Sequence, residues 1–251
     1  MAVPHLTTAL SGPILALEKR ILEAMPAIEH WLRGKWQQHA IPFYCSVDLR
    51  NSGFKLAPVD TNLFPGGFNN LNTDFLPLCV QAMMAAVEKI CPEAHSILII
   101  PESHTRNIYY LQNVHVLERI MRHAGLNIRI GSLIPEITEP TPINLPDGNT
   151  LLLEPIVRKG NRLSVGNFDP CAILLNNDLS SGIPDSLKNL DQIIIPPIHA
   201  GWTTRLKSQH FTAYDRVAQE FAELIGIDTW LINPYFNSCG KIDFHEEKGV
   251  D

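Results

Sequence analysis

Five basic side chains stand just after short apolar runs of the length of a buried strand. They are Arg50, Lys55, Arg106, Arg205 and Lys207. The planar guanidinium of arginine donates two parallel hydrogen bonds to a carboxylate or phosphate, and lysine offers a point charge to the same groups. Each residue alone could be a solvated surface charge. Five of them in such positions indicate that the protein binds an anionic small molecule.

Carboxylate, amide and aromatic side chains occupy similar positions. These candidates for substrate binding are Asp48, Asn51, Asp60, Asn62, Asn69, Asn70, Glu102, His104, Asn107, Asn176, Asn177, Asp178 and Trp202. In open α/β sheets, ligands bind beyond the carboxyl ends of the strands, so all these groups could converge on one crevice. The alternative is structural, because Asn and Asp after strands also cap helices and form turns.

The histidines identify no catalytic or metal-binding group. There are ten of them, and none shows HExxH or HxH spacing. His104 and His199 are the best placed to act as a catalytic base, a role that geometry would have to support. The chain has no GxGxxG or GxxxxGK[ST] phosphate loop and no GxSxG nucleophile elbow. The catalytic residues and any metal ligands are therefore left unassigned.

Apolar residues recur at helical spacing in four segments. The first helix is predicted to begin after Ser11, as its cap, and to kink or split at Pro26. A second begins near Asp74, a third carries the stripe Tyr110, Val114, Leu117 and Met121, and a fourth covers residues 208–224. The inward face of the fourth helix is predicted to be Phe211, Tyr214, Val217, Phe221 and Leu224.

Short apolar runs predict strands at residues 43–49, 96–100, 126–130, 171–175, 192–195 and 229–232. Residues 150–157 and 162–165 flank a Lys-Gly-Asn turn and predict a β-hairpin. Apolar strands that alternate with helices indicate an α/β fold with a mostly parallel sheet, helices on both faces and the hairpin as an insert. No linker or repeat interrupts the chain, so residues 1–251 are expected to form a single α/β domain.

The composition excludes several classes of protein. The chain has 251 residues, of which 45% are hydrophobic and 18% charged, as in ordinary globular proteins. A net charge of −6 argues against nucleic-acid binding. No apolar stretch approaches the length of about 18 residues that a membrane span needs. Five cysteines lie far apart without a CxxC pair, which predicts reduced, structural thiols in a soluble cytoplasmic protein.

Several blocks of the sequence resemble one protein family. Residues 44–65 (YCSVDLRNSGFKLAPVDTNLFP) and 67–71 (GFNNL) are similar to the signature region of a proteobacterial group of glutamate–cysteine ligases. Residues 101–107 (PESHTRN), 175–180 (LNNDLS) and 201–208 (GWTTRLKS) are similar to its later blocks. The chain as a whole resembles the N-terminal part of such a ligase, which is also called gamma-glutamylcysteine synthetase.

The resemblance implies an activity and a set of substrates. Family members join glutamate to cysteine with ATP and magnesium, in the first step of glutathione biosynthesis. The γ-carboxylate of glutamate is phosphorylated, and the amine of cysteine then displaces phosphate. Such chemistry needs cationic and amide donors around an acyl phosphate, and carboxylates for the metal. The strand-end residues would bind glutamate, cysteine and ATP, whereas no cofactor can be assigned from the residues of this chain alone.

The family pattern departs from this chain in one respect. Members of the family continue into an ATP-grasp-like part with a glycine-rich loop, and the chain reaches residues 245–251 (HEEKGVD) without that loop. We therefore expect it to be inactive alone, as a truncated product, a fragment or half of a split enzyme. A homo-oligomer and a separate C-terminal partner both stay open.

Two other functions are compatible with the residues. The chain could be a stand-alone module that binds an amino acid or nucleotide and regulates without catalysis. It could also be an unrelated α/β enzyme that completes its site by dimerising. An ATP-grasp-like segment encoded directly downstream would favour the ligase.

Overall fold

The computed structural model describes residues 12–90, 92–103, 106–201 and 204–236. Its α-helices are α1 (Pro13–Glu23), α2 (Met25–Gln38), α3 (Leu76–Ile90), α4 (Ile108–His123) and α5 (Lys207–Ile225). Its strands are β1 (Ser46–Asn51), β2 (Leu56–Asn62), β3 (Ser96–Pro101), β4 (Asn127–Ser132), β5 (Thr141–Asn144), β6 (Thr150–Lys159), β7 (Arg162–Val165), β8 (Ala172–Asn176) and β9 (Ile193–Ile195).

The sequence alone predicts one domain, and the structure groups the residues into two compact units. Unit 1 is built from three separate segments, whose described residues are 12–41, 47–61 and 205–236. Unit 2 contains Pro42–Ser46 and Asn62–Thr204, and it holds the larger sheet. Among the described helices of either unit, none has the length and apolar character that a bilayer-spanning segment requires.

The sheet of unit 2 has seven strands in the order β5-β6-β4-β3-β8-β9, with β7 paired to β6. Strand β3 lies at the centre, parallel to β4 on one side and to β8 on the other. The pairs β4–β6 and β8–β9 are also parallel. Antiparallel pairing occurs in β5–β6 and in β6–β7. The predicted mostly parallel sheet with a hairpin at residues 150–165 is therefore confirmed.

One face of this sheet is covered by helices. Ile97 and Ile99 of β3 point to α3 and α4 and pack in one buried cluster with Leu111, Val114 and Leu117 of α4. The stripe predicted for this helix is thus confirmed. Because successive strand residues point to opposite faces, the side chains between them serve the other side of the sheet.

The other face of the sheet differs from the prediction of helices on both faces. Leu98 and Ile100 pack there in one cluster with Leu163 and Val165 of β7 and with Leu187 of a 3-10 turn, Asp185–Leu187. The hairpin folds back over the sheet and supplies the apolar surface that a helix would have supplied. Within unit 2, the described helices α3 and α4 thus cover one face only.

Unit 1 combines helices with a small sheet. Helix α1 ends at Glu23 and α2 begins at Met25, with Pro26 in the first turn of α2. The predicted split is therefore confirmed, because proline is tolerated in a first turn and not in a helix interior. Ser11, the predicted cap, lies outside the described residues.

The core of unit 1 lies between α1 and α5. Ile14 and Leu17 pack with Ala218 and Ala222 of α5 in one buried cluster. The predicted inward face of α5 is confirmed in part, since Phe211 is buried and both Tyr214 and Phe221 pack against the core. Val217 is 41% exposed and Leu224 is 38% exposed, so these two residues were wrongly predicted to face inward.

Two predicted strands have a different structure. Residues 229–232 contain a turn of 3-10 helix, Thr229–Leu231, and the carboxylate of Asp228 accepts a 2.9 Å hydrogen bond from the backbone amide of Trp230. The strand predicted at residues 43–49 begins at Ser46 and pairs with β2 in a separate two-stranded sheet. Neither segment therefore belongs to the parallel sheet of unit 2.

The described cysteines, Cys45, Cys79 and Cys171, are free. Cys79 packs against the core of unit 2, whereas Cys45 and Cys171 are exposed rather than buried as predicted. The other two cysteines lie outside the described residues.

We expect titration of the denatured protein, purified without reductant, to count five thiols, because the five cysteines are scattered along the chain. A count of three or fewer would contradict this prediction.

Candidate functional site

The carboxyl ends of β3 and β8 bring several predicted site residues together. The two strands are parallel neighbours, and Pro101 at the end of β3 stands opposite Asn176 at the end of β8. Glu102 and Asp178 follow these positions, and the Glu102 carboxylate lies 3.4 Å from the backbone nitrogen of Asp178. The rule that ligand groups gather beyond the ends of parallel strands thus describes this edge.

Asn176 is the centre of a buried hydrogen-bond network at this edge. Its side-chain nitrogen donates to the carbonyl oxygen of Pro65 at 2.8 Å. The Tyr110 hydroxyl lies 3.0 Å from its side-chain oxygen and donates to its backbone carbonyl oxygen at 2.6 Å. The side-chain nitrogen of Asn113 is 3.4 Å from the same side-chain oxygen. Since Asn176 is only 2% exposed, these bonds replace water for an otherwise costly buried amide.

Two tyrosines keep their protons in this network. Burial raises the pKa of the Tyr44 hydroxyl, which donates to the carbonyl oxygen of Leu175. Burial also raises the pKa of the Tyr110 hydroxyl, and the nearby Glu102 carboxylate adds to the shift. Both phenols are therefore neutral donors at any physiological pH. Their role here is to fix the strand ends in place.

The network also holds the loop that follows β2. The Asn113 side-chain oxygen accepts a 2.8 Å hydrogen bond from the backbone nitrogen of Phe68. Phe68 begins a 3-10 turn that contains Asn69 and Asn70, and Pro65 just before it is bonded to Asn176. Asn69 lines a small cavity beside α4. Predicted residues of this loop are thus tied to the ends of β3 and β8.

The turn after β8 has an unusual backbone. Leu179 is 4% exposed and has a φ of 55°, a left-handed conformation that costs free energy for a branched residue. The side chain of Asn177 stabilises the turn, since it accepts from the backbone nitrogen of Leu179 at 2.8 Å and donates to the carbonyl oxygen of Pro101 at 3.1 Å. Gly201 packs so closely that an added Cβ would collide with the Asp178 carbonyl oxygen.

Several predicted binding residues have structural hydrogen bonds, as the alternative interpretation expects. The side-chain oxygens of five of them accept from backbone amides within three residues, namely Asn51, Asn62, Asn107, Asn177 and Asp178. Asn107 caps α4 through the backbone nitrogen of Tyr110 at 3.1 Å. Each of these bonds occupies one acceptor lone pair of a side-chain oxygen. The bonds therefore explain the residue types without a ligand, and the remaining hydrogen-bonding groups of each side chain can still contact one.

A second group of candidates lies in unit 1, where β2 meets the start of α5. Lys207 forms an ion pair with Asp60 at 3.0 Å, and the Arg205 guanidinium donates to the Thr61 carbonyl oxygen at 2.8 Å. The Thr61 hydroxyl is 2.9 Å from a ring nitrogen of His210. Burial lowers the pKa of His210, and the nearby Arg205 charge lowers it further. This imidazole is therefore neutral near pH 7.

The remaining candidates are exposed or lie outside the described residues, except Lys55, which is partly buried. Asp48 and Arg50 are exposed on β1, and Arg106 is exposed just before α4. Lys55 in unit 1 places its ammonium 4.7 Å from the centre of the Trp230 ring. His199 is exposed in a 3-10 turn. His104 and Trp202 are outside the described residues, so their predicted roles stay predictions.

Magnesium in ATP-dependent enzymes is held by one or two carboxylates together with substrate phosphates. Glu102 and Asp178 are carboxylates of suitable type at the sheet edge. However, the described part of the chain contains no group of three or more His, Cys, Asp or Glu side chains that could hold a metal. These residues do not form a metal site by themselves, and no catalytic step is assigned to one.

Sequence reasoning missed some residues that shape these sites. Tyr44 and Asn113 belong to the network around Asn176, and His210 belongs to the cluster in unit 1. Tyr110 was predicted as a core residue of α4, although its hydroxyl serves the strand ends. A polar residue inside an apolar helical stripe, such as Asn113, is the signal that could have revealed the network.

Comparison with known proteins identifies a family and a similar solved structure. The sequence model of the family described as glutamate–cysteine ligase matches residues 18–251. A crystal structure from Methylobacillus flagellatus KT, named "Putative gamma-glutamylcysteine synthetase", is 68% identical, with a TM-score of 0.91. The match covers 99% of this chain and 59% of that protein, so this chain spans little more than half of the relative's length. A search of curated proteins finds no significant match.

Proposed function

Because the chain belongs to the glutamate–cysteine ligase family, we propose that it supplies substrate-binding residues to a ligase that makes gamma-glutamylcysteine. The observation that carries this proposal is the family match over residues 18–251. The Methylobacillus structure supports it, since 68% identity over 99% of the chain leaves little room for a different fold. The reaction would be the first step of glutathione biosynthesis.

We further infer that this chain corresponds to the N-terminal part of a proteobacterial-type ligase. An ATP-grasp-like part would then supply the sites for ATP and magnesium. The sequence supports this division, because it contains no phosphate-loop motif. The free thiols of Cys45, Cys79 and Cys171 are compatible with a cytoplasmic location. A homo-oligomer and a separate C-terminal partner are both compatible with the proposal.

The proposed reaction has two steps that the binding residues must serve. A γ-carboxylate oxygen of glutamate attacks the terminal phosphorus of ATP, which releases ADP and forms an acyl phosphate. The cysteine nitrogen then attacks the acyl carbon, phosphate leaves with the bonding electrons, and the nitrogen loses a proton. Both steps build negative charge on oxygen, which cationic and amide donors stabilise.

The sheet edge of unit 2 offers groups of the required types. Arg106 is an exposed cation in the loop after β3, and it suits a carboxylate or a phosphate. Glu102 and Asp178 are partly buried carboxylates that suit an ammonium group. The network around Asn176 holds these strand ends rigid, and a rigid first layer of residues is what a binding site needs.

The first test of the proposal is turnover. We expect the 251-residue chain to make no gamma-glutamylcysteine from glutamate, cysteine, ATP and magnesium, because it has no phosphate loop. Addition of a second polypeptide, comprising the part of the Methylobacillus protein that this chain does not cover, should restore ATP-dependent product formation. Product is measured by chromatography after thiol labelling, and a fusion of the two parts is the positive control.

Each other outcome has a definite meaning. Turnover by the chain alone would contradict the need for a second part. Tight binding of an amino acid or nucleotide without product, even in the fusion, would favour the stand-alone binding module. Neither binding nor turnover in the fusion would sink the ligase proposal.

A further inference from the structure

Unit 1 contains an open groove with a volume of about 550 Å³. The turn between β1 and β2 forms one wall, and α5 and residues 229–236 form the others. The polar and aromatic side chains that line it include Lys55, Asp215, Gln219, Trp230, Asn233 and Tyr235. Its volume lies within the range of roughly 300–1,000 Å³ that is usual for small-molecule sites.

The carboxylate of Asp215 is held in this groove by neutral donors. The side-chain nitrogen of Asn233 donates to one oxygen, and that of Gln219 donates to the other at 2.8 Å. Among the described residues, no Lys, Arg or His nitrogen lies within 4.0 Å of this carboxylate. Two amides therefore orient the negative charge without neutralising it, and each oxygen retains a lone pair for another donor.

Lys55 provides the opposite charge on the same groove. Its ammonium lies 4.7 Å from the centre of the Trp230 ring, and Phe54 stacks on that ring at 5.6 Å between centroids with an angle of 7°. A cation–π contact uses the face of the ring and leaves the N–H groups available to acceptors. Within the described chain, no carboxylate oxygen lies within 4.0 Å of this ammonium.

The walls that carry these charges are fixed by their own hydrogen bonds. The carboxylate of Asp228 holds the backbone nitrogen of Trp230 at 2.9 Å. The Tyr214 hydroxyl donates to the carbonyl oxygen of Ile232 at 2.8 Å, next to Asn233. Gly226 ends α5 with a φ of 67°, in a left-handed conformation that suits glycine and lets the chain turn back. The groove is therefore formed before any ligand binds.

We propose that this groove binds an α-amino acid, with the α-ammonium group on Asp215 and the α-carboxylate on Lys55. The two charges line one groove but are farther apart than an ion pair, so a zwitterion that bridges them satisfies both. A purely anionic or cationic ligand would leave one of them uncompensated. The inference rests on the proposed function only in naming glutamate and cysteine as the first ligands to try.

The binding test uses the 251-residue chain and isothermal titration calorimetry without ATP. L-glutamate or L-cysteine should bind, and two analogues separate the charges. Glutarate lacks the α-ammonium group, and γ-aminobutyrate lacks the α-carboxylate. We expect Asp215→Asn to weaken glutamate binding by about 10-fold or more, because a charged hydrogen bond is lost, and not to weaken the binding of glutarate, which has no ammonium group. Lys55→Met should weaken the binding of glutamate to the same extent and should leave the affinity for γ-aminobutyrate unchanged.

Matched control variants stand outside the groove. Glu223→Gln removes another carboxylate from α5, and Lys19→Met removes an exposed cation from α1. Neither should change the affinity for glutamate. Analogue binding that is retained in the groove variants shows that the groove is intact, so a loss of glutamate binding cannot be attributed to misfolding.

Two results would overturn the inference, and they differ from failure of the ligase proposal. Absence of binding by both amino acids to the unmodified chain is the first. Equal weakening of glutamate and glutarate by Asp215→Asn is the second. If the fusion makes product while the groove variants bind glutamate with normal affinity, the proposed role of the groove is wrong and the ligase proposal is retained. If the groove binds amino acids as described and the fusion is inactive, the ligase proposal fails and the groove stands.

Discussion

The Asn176→Ala variant should be less stable than the unmodified protein by about 3 kcal/mol, because the buried Pro65 carbonyl oxygen and the buried side-chain nitrogen of Asn113 lose their shared partner. This is a large part of the roughly 5–15 kcal/mol that keeps a typical domain folded. Urea unfolding monitored by circular dichroism measures the change. The midpoint should fall while the slope against urea concentration stays the same.

The matched control is Asn62→Ala, which removes a single bond to the backbone nitrogen of Phe64 at a partly buried position. We expect it to cost about 1 kcal/mol. If Asn176→Ala costs no more than the control, the network does not support the sheet edge in the way described.

Arg50→Ala and Arg106→Ala should each lower kcat/KM of the complete ligase by roughly 10–150-fold, the effect of losing one charged hydrogen bond of about 1.5–3 kcal/mol. Stability should change little, since both residues are exposed. Lysine at either position should restore only part of the activity, because it lacks the bidentate fork of arginine. The measurement is initial rate against glutamate concentration in the fusion protein.

The controls for this pair are Arg216→Ala in unit 1 and Arg119→Ala in unit 2, which remove exposed arginines from helices. Their kinetics should be normal. Normal kinetics for both Arg50→Ala and Arg106→Ala would remove the binding role. Arg50 lies in unit 1 and Arg106 lies in unit 2. That the two residues face one crevice stays a prediction, and the kinetics of the two variants test the binding role of each arginine by itself.

Hydrophobic patterning predicted most of unit 2 correctly. Residues 97–100 are four consecutive apolar residues, as expected for a strand that is buried on both faces, and they lie in the central strand β3. The stripe along α4 and the Lys-Gly-Asn turn between β6 and β7 were equally clear. These signals are local, because spacing within about ten residues determines them.

The errors arose where a local signal was ambiguous. Residues 229–232 are a short apolar run, and periodicity cannot separate a strand from a helical turn over four residues. The hydrogen bond from the backbone nitrogen of Trp230 to the Asp228 carboxylate stabilises the helical turn. Helices were expected on both faces of the sheet because apolar strands must be shielded from water. No local pattern in the sequence indicates that β7 supplies part of this apolar cover.

The candidate site shows the same limit. Asn107 and Asn176 look alike in the sequence, yet one caps a helix and the other holds a buried network. The bond from Asn176 to Pro65 joins positions more than a hundred residues apart, which no local pattern encodes. The opposed charges of Lys55 and Asp215 became visible only once the fold had brought them to one groove.

The division of unit 1 into three segments has a consequence for synthesis. Translation delivers residues 62–204 as one uninterrupted stretch, so unit 2 can fold at the ribosome before α5 has emerged from the exit tunnel. The apolar face of α1, with Ile14 and Leu17, must wait for α5. At about 5–20 residues per second, that delay is on the order of 10–40 s. Throughout it, α1 exposes this apolar face on the nascent chain, where a chaperone would have to shield it.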